Sequence, residues 1–170
     1  MNVLTQKPSK AEQAIRDAYF DLIKFGKLFL PGDFLKTQPT PAFHYEVAQE
    51  LMSSSNKPCA LILPRDSAKT IYTKALILHD FVFAKKAKEW GFAEDEVNLL
   101  YGWCADNQKK SIKNVAYIRY NLKFNKKLLY YFGDDILCFS INIFCFFQAV
   151  CDARQRFGNY CIQGSVRFGD

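Results

Sequence analysis

The sequence predicts an α/β protein: a P-loop NTPase-type parallel sheet flanked by helices, incomplete, with a helical segment ahead of it. Three observations point there. Two short apolar runs without charge, "CALIL" at 59–63 and "VNLLYG" at 97–102, are each followed by a long stretch with helical spacing. Strand, helix, strand, helix in that order implies parallel strands with right-handed crossovers. Between the first run and its helix stands "LPRDSAKT", Leu63 to Thr70, a loop ending in Lys-Thr.

The elements follow in order. Ser9 and Glu12 form an S-x-x-E capping box, and apolar residues recur at Ala11, Ile15, Ala18, Tyr19, Leu22 and Ile23. That spacing predicts a helix over 10–25, closed by Gly26. "LPGDFLKTQPTPAF" holds three prolines and a glycine and reads as loop. Pro41 suits the first turn of a helix over "AFHYEVAQELM", and "SSSNKP" reads as a turn. After the loop, Ile71, Ala75, Leu78, Phe81 and Val82 fall on one helical face, and Gly91 can close that helix. "ADNQKKSIKNVAYIRYNLKFN", 105–125, reads as a second long helix, with Ile112, Val115, Ile118 and Leu122 expected inward. The chain divides into 1–57, helices leading into the core; 58–133, a partial ATPase core; and 134–170, an atypical tail.

Composition bounds the function. The chain has 170 residues, 49% hydrophobic and 16% aromatic, enough for a packed core in one domain. A net charge of +6 is compatible with polyanionic partners without establishing one. The six cysteines, at 59, 104, 138, 145, 151 and 161, form no CxxC, and His44 and His79 stand apart, which argues against tetrahedral zinc. The N-terminus has no apolar signal region, so the thiols are expected to be reduced in a cytosol. The uncharged stretch Ile136 to Cys151 is short of the ~20 residues of a membrane helix.

The loop carries the chemistry. A phosphate-binding loop reads G-x-x-x-x-G-K-[ST], and here Leu63 and Ala68 stand in the glycine positions. Lys69 can place its ammonium between β- and γ-phosphates, an attraction of about 4 kcal/mol at ~4 Å before desolvation. Thr70 can offer its hydroxyl to Mg²⁺, and the helix start directs free N–H groups at an anion. Alanine is the smallest substitute for the second glycine, whereas Leu63 is a larger departure. The competing reading is an ordinary strand-to-helix turn with an exposed lysine.

"LPRDSAKT" resembles the deviant Walker A loop of the large terminase subunits of tailed bacteriophages, R-x-x-[GA]-K-[ST], in which the first glycine is commonly absent. Arg65, Ala68, Lys69 and Thr70 match that pattern. "GDFLKTQPTPAFHYEVAQELM" is similar to the family's segment before the loop, and "VNLLYGWCADNQKKSIKNVAYIRYNLKFNKKLLYYFG" to its second strand and helix. The resemblance covers about 25–133. It implies an ATPase motor driving double-stranded viral DNA into a capsid, with ATP and Mg²⁺ as cofactors. Portal protein and a small terminase subunit are the implied partners, in a homo-oligomer in the host cytoplasm, with no membrane. Pro64, Arg65, Asp66, Ser67, Ala68, Lys69 and Thr70 would form the nucleotide site. Lys69 would hold phosphates, Thr70 the Mg²⁺, and Arg65 would sense the γ-phosphate. The family's second acidic motif and its nuclease domain are not found in this sequence, so the chain is expected to be an N-terminal part that binds ATP without hydrolysing it efficiently. The tail after Gly133 is either a buried strand pair or sequence foreign to the family. A stand-alone nucleotide- or DNA-binding module is the alternative.

Three further readings concern single residues. Lys109, Lys110 and Lys113 are candidate DNA contacts on a basic helix, against the plainer reading of a solvated face. His44 can stack near adenine, and Phe34 and Phe43 can wall its pocket, against ordinary packing roles.

Overall fold

A computed structural model of the chain describes residues 9–34, 39–53, 62–64, 66–94 and 108–133, apart from the side chains of Lys85 and Gln108. Six helices account for the regular structure among the described residues: α1 (Lys10–Phe20), α2 (Leu22–Phe29), α3 (Ala42–Ser53), α4 (Lys69–Glu89), α5 (Gln108–Phe124) and α6 (Lys126–Phe132). The expected parallel sheet is overturned: no strand occurs among the described residues. Of the first expected strand, 59–61 lies outside the described residues; Ile62 is 93% exposed and pairs in no ladder, where a buried strand would have enclosed it. The second, at 97–104, lies outside them entirely, as do the tail 134–170 and all six cysteines.

Helix α4 takes the central place that the sheet was expected to fill. Its residues Ala75 to Ala84 are buried without interruption. The apolar surface is therefore not one face but the whole circumference, as in a helix enclosed by neighbours. Helices α2, α3, α5 and α6 all contact it. Among the described residues the core is one cluster, in which Phe25, Phe29, Ile77, Leu78, Ile118, Leu122 and Leu128 are almost wholly inaccessible.

Local chemistry sets the helix ends. The Ser9–Glu12 capping box forms as expected: Glu12 N–H donates to Ser9 Oγ at 3.2 Å, and Ser9 N–H to Glu12 Oε2 at 2.6 Å. These bonds hold the Glu12 carboxyl below its ordinary pKa. The single helix expected over 10–25 is in fact two. Asp21, in extended conformation, accepts from Ile23 N–H at 2.8 Å and Lys24 N–H at 3.1 Å, and so starts α2 afresh. Gly26 does not end a helix but lies inside α2, where a Cβ would stand 2.5 Å from the Phe34 ring. Asn125 separates α5 from α6 in the same way, accepting from Lys127 and Leu128 N–H groups. Gly91, at φ +69, follows the end of α4 as expected. In α5, Val115, Ile118 and Leu122 face inward, but Ile112 is 49% exposed, contrary to expectation.

A histidine and an aspartate are buried side by side in α4. His79 Nδ1 is 3.0 Å from Asp80 Oδ1, and its Nε2 is 2.8 Å from the Tyr19 carbonyl oxygen, which ties α1 to the central helix. Tyr19 stacks on the imidazole, while Phe25 and Phe83 pack around it.

Candidate functional site

The loop ahead of α4 has an unusual backbone. Asp66 at φ 62 and Ala68 at φ 57 are the non-glycine residues with positive φ among those described. An alanine in the left-handed region costs roughly 1–2 kcal/mol. Ala68 stands where a phosphate loop has its second glycine, so the position asks for glycine geometry and holds alanine in it. Left-handed residues alternating with ordinary ones turn consecutive N–H groups toward one concave side, the backbone form that receives anions.

The loop closes on its own lysine. The Lys69 ammonium donates to the carbonyl oxygens of Leu63 and, at 2.9 Å, of Pro64. The Ser67 hydroxyl donates to the same Pro64 carbonyl at 2.8 Å. A cation carried by the first residue of α4 is thereby held across the loop. No side chain caps that start, so the first N–H groups of α4 have no side-chain acceptor. Thr70 is exposed, as is Asp66. Arg65, the expected γ-phosphate sensor, lies outside the described residues.

Beside the loop opens a cleft of 140 Å³, lined among others by Phe34, Pro41, His44, Ala68, Ile71 and Tyr72. Its walls come from α2, from the segment between α2 and α3, from α3 itself and from the first turn of α4. This places Phe34 and His44 beside Ala68, while Phe34, 6% exposed, also packs in the core. Phe43 departs from expectation: it is 42% exposed and is not among the lining residues, because the helical turn that turns His44 inward carries its neighbour outward. The cleft is smaller than the roughly 300–1,000 Å³ of a drug-sized ligand site, a size for one planar ring rather than a whole nucleotide. His44 Nε2 is a buried polar atom without a hydrogen-bond partner. His44 also packs against the Tyr72 ring, centroids 5.0 Å apart. Burial pushes the Tyr72 phenol up to about 12, with Tyr45 and Asp21 adding to the shift.

Lys27 and Asp33 also line the cleft, and nothing in the sequence singled them out. Asp33 accepts a hydrogen bond from the Tyr117 hydroxyl of α5. Burial raises the Tyr117 pKa, and the Asp33 hydrogen bond and charge add to it. The Lys74 ammonium lies 4.4 Å from the Tyr117 ring centroid. Burial lowers the Lys74 pKa, Asp33 opposes that shift, and Lys113 reinforces it. Tyr72 had one legible signal, its place four residues after Ala68 on an apolar face. Lys27 and Asp33 arrive through the chain's path alone.

Lys109, Lys110 and Lys113 are exposed on α5, away from the buried stripe of that helix. Among the described residues no group of three or more His, Cys, Asp or Glu is placed to hold a metal ion, and no helix is long and apolar enough to cross a membrane. No known protein family, curated protein or solved structure matches the chain.

Proposed function

We propose that the loop Leu63–Thr70 and the adjoining cleft bind ATP with Mg²⁺, phosphates on the loop and adenine in the cleft. The observation that carries this is Ala68 held at φ 57 in the second glycine position, directly before a lysine folded across the loop. A backbone strained at one point of a concave, cation-bearing turn is the usual company of a ligand site. On binding, the Lys69 ammonium exchanges loop carbonyls for phosphate oxygens, and the uncapped first turn of α4 donates to them. Mg²⁺ carried on the nucleotide keeps most of its waters and takes few protein ligands, which suits a lone exposed Thr70 hydroxyl. His44 and Tyr72 offer aromatic faces to the base, and His44 Nε2 a polar atom in want of a partner.

The loop residues and those flanking them resemble the large terminase subunits, so the chain is proposed as the ATP-binding part of a motor that packages double-stranded viral DNA. Portal protein and a small terminase subunit are its proposed partners, and the host cytoplasm its site of action. The proposal rests on the loop and cleft, not on a sheet. It covers binding; efficient hydrolysis needs an acidic residue to orient the attacking water. The continuous core that the described residues form around α4 favours a second reading, a self-standing nucleotide-binding module. Titration of a fluorescent ATP analogue with Mg²⁺ against the chain and Lys69→Ala tests both. Loss of at least tenfold in affinity is expected, and equal binding by the two proteins would remove the phosphate-loop assignment.

A further inference from the structure

The segment from Gln108 to Phe132 contains seven basic residues and no acidic one. On α5 the buried side is occupied by Ser111, Val115, Ile118 and Leu122. The opposite side, at helical spacing, carries Lys109, Lys113, Tyr120, Lys123 and Phe124. Tyr120 is 63% exposed and Phe124 55%. Their rings lie against each other with centroids 5.3 Å apart, and the Lys123 ammonium sits 5.3 Å from the Phe124 centroid. A run of solvated lysines would need no exposed rings among them. Two aromatic faces set into a purely basic stripe are an arrangement that calls for a partner with both charge and flat apolar surface.

We infer that this face of α5 binds single-stranded nucleic acid, with unpaired bases stacked on Tyr120 and Phe124 and backbone phosphates against Lys109, Lys113 and Lys123. The stripe from Lys109 to Lys123 is about 21 Å long at 1.5 Å per residue, room for a few extended nucleotides. Aromatic side chains bind any base through its π-face, while lysines track the phosphates. A duplex keeps its base faces stacked inside and leaves the two rings without a role. An anionic membrane is also a poor match, because the apolar side of α5 that would enter lipid is turned into the core. The inference concerns a different surface from the nucleotide loop and does not rest on it.

The test uses the full chain and a fluorescein-labelled oligothymidylate, followed by anisotropy without ATP. The wild type is expected to bind the strand more tightly than a duplex of the same length. Tyr120→Ala with Phe124→Ala should weaken binding about 25-fold or more, at roughly fivefold or more for each stacked base. Tyr120→Phe should retain it, which separates stacking from a general loss of structure. With three lysines on phosphates, the slope of log affinity against log salt is expected near −2, falling to about −0.7 in Lys109→Gln with Lys113→Gln. Absence of strand binding, unchanged binding by the ring variant, tighter binding of the duplex, or binding to anionic vesicles in place of the strand would each overturn the inference.

Discussion

Glycine at position 68 should make the protein more stable, which is the reverse of what glycine does at most helix starts held by a good cap. Ala68 lies at φ 57, ψ 17, and no side chain caps α4 there. The left-handed conformation costs an L-residue roughly 1–2 kcal/mol. Glycine removes that cost and is also the better residue at an N-cap. Against this stands the greater freedom of glycine in the unfolded chain, about 0.4–1 kcal/mol. The net is a gain of about 0.5–1 kcal/mol for Ala68→Gly. In a chain of this size such a gain raises Tm by about 1–4 °C. Urea unfolding followed by circular dichroism, with the slope unchanged between variants, reads the difference directly. ATP affinity should hold, since glycine keeps the left-handed backbone of a residue that lines the cleft. A loss of stability in Ala68→Gly would show that the residue is not left-handed in solution, and the loop geometry would fall with it.

Three other substitutions probe the surroundings. Gly26→Ala places a Cβ 2.5 Å from a Phe34 ring that is only 6% exposed; overpacking of about 1–3 kcal/mol outweighs the helix-propensity gain of about 1 kcal/mol, so chemical denaturation should show a net loss. Weaker binding of ATP should accompany it, because Phe34 is also a cleft wall. His79→Leu removes the buried ring that lies between the Tyr19 carbonyl and the Asp80 carboxylate, and the lost polar contacts should cost about 1–3 kcal/mol by urea titration. Tyr72 has its folded pKa raised to about 12 from 10.0, so the folded state holds the phenolic proton more tightly. Its contribution is whole below pH 10 and is lost as pH rises toward 12; Tyr72→Phe should flatten the fall of stability in that window, measured against wild type.

The helices were legible where the signal was local. The Ser9–Glu12 box and Gly91 after α4 are short-range chemistry, and both appear as expected. Asp21 and Asn125 are equally local, but apolar residues continue past each of them. Their side chains accept from the next helix's first N–H groups, and this competition with the preceding helix decides the boundary. Helix α4 shows what spacing cannot settle. Ile71, Ala75 and Leu78 do fit one face, but Leu76, Ile77 and Phe83 on the other sides are buried too, and whole-circumference burial depends on how many neighbours arrive. The same ambiguity attends the short apolar run that includes Ile62, since such a run fits strand, helix or neither. Ile62, exposed at 93%, is neither.

The candidate site was legible as chemistry and not as geometry. Lys69 and Thr70 after a compact loop, with Phe34 and His44 upstream, were read from residue type and order. The fold of the lysine onto Leu63 and Pro64 carbonyls was not, nor the left-handed Asp66 and Ala68, because no residue type announces a strained alanine. Asp33 enters through Tyr117, a partner 84 positions away, a contact that only the packing of α5 creates.

Photolabelling with 8-azidoadenosine triphosphate tests the nucleotide site most directly. With Mg²⁺ present, irradiation followed by mass spectrometry of the peptides should place the label on the cleft walls, in the segments holding Phe34, His44 or Tyr72, and excess ATP should abolish it. Lys69→Ala should reduce the labelling in parallel. Label confined to other segments, or labelling of the cleft that ATP does not displace, would contradict the assignment of loop and cleft as one nucleotide site.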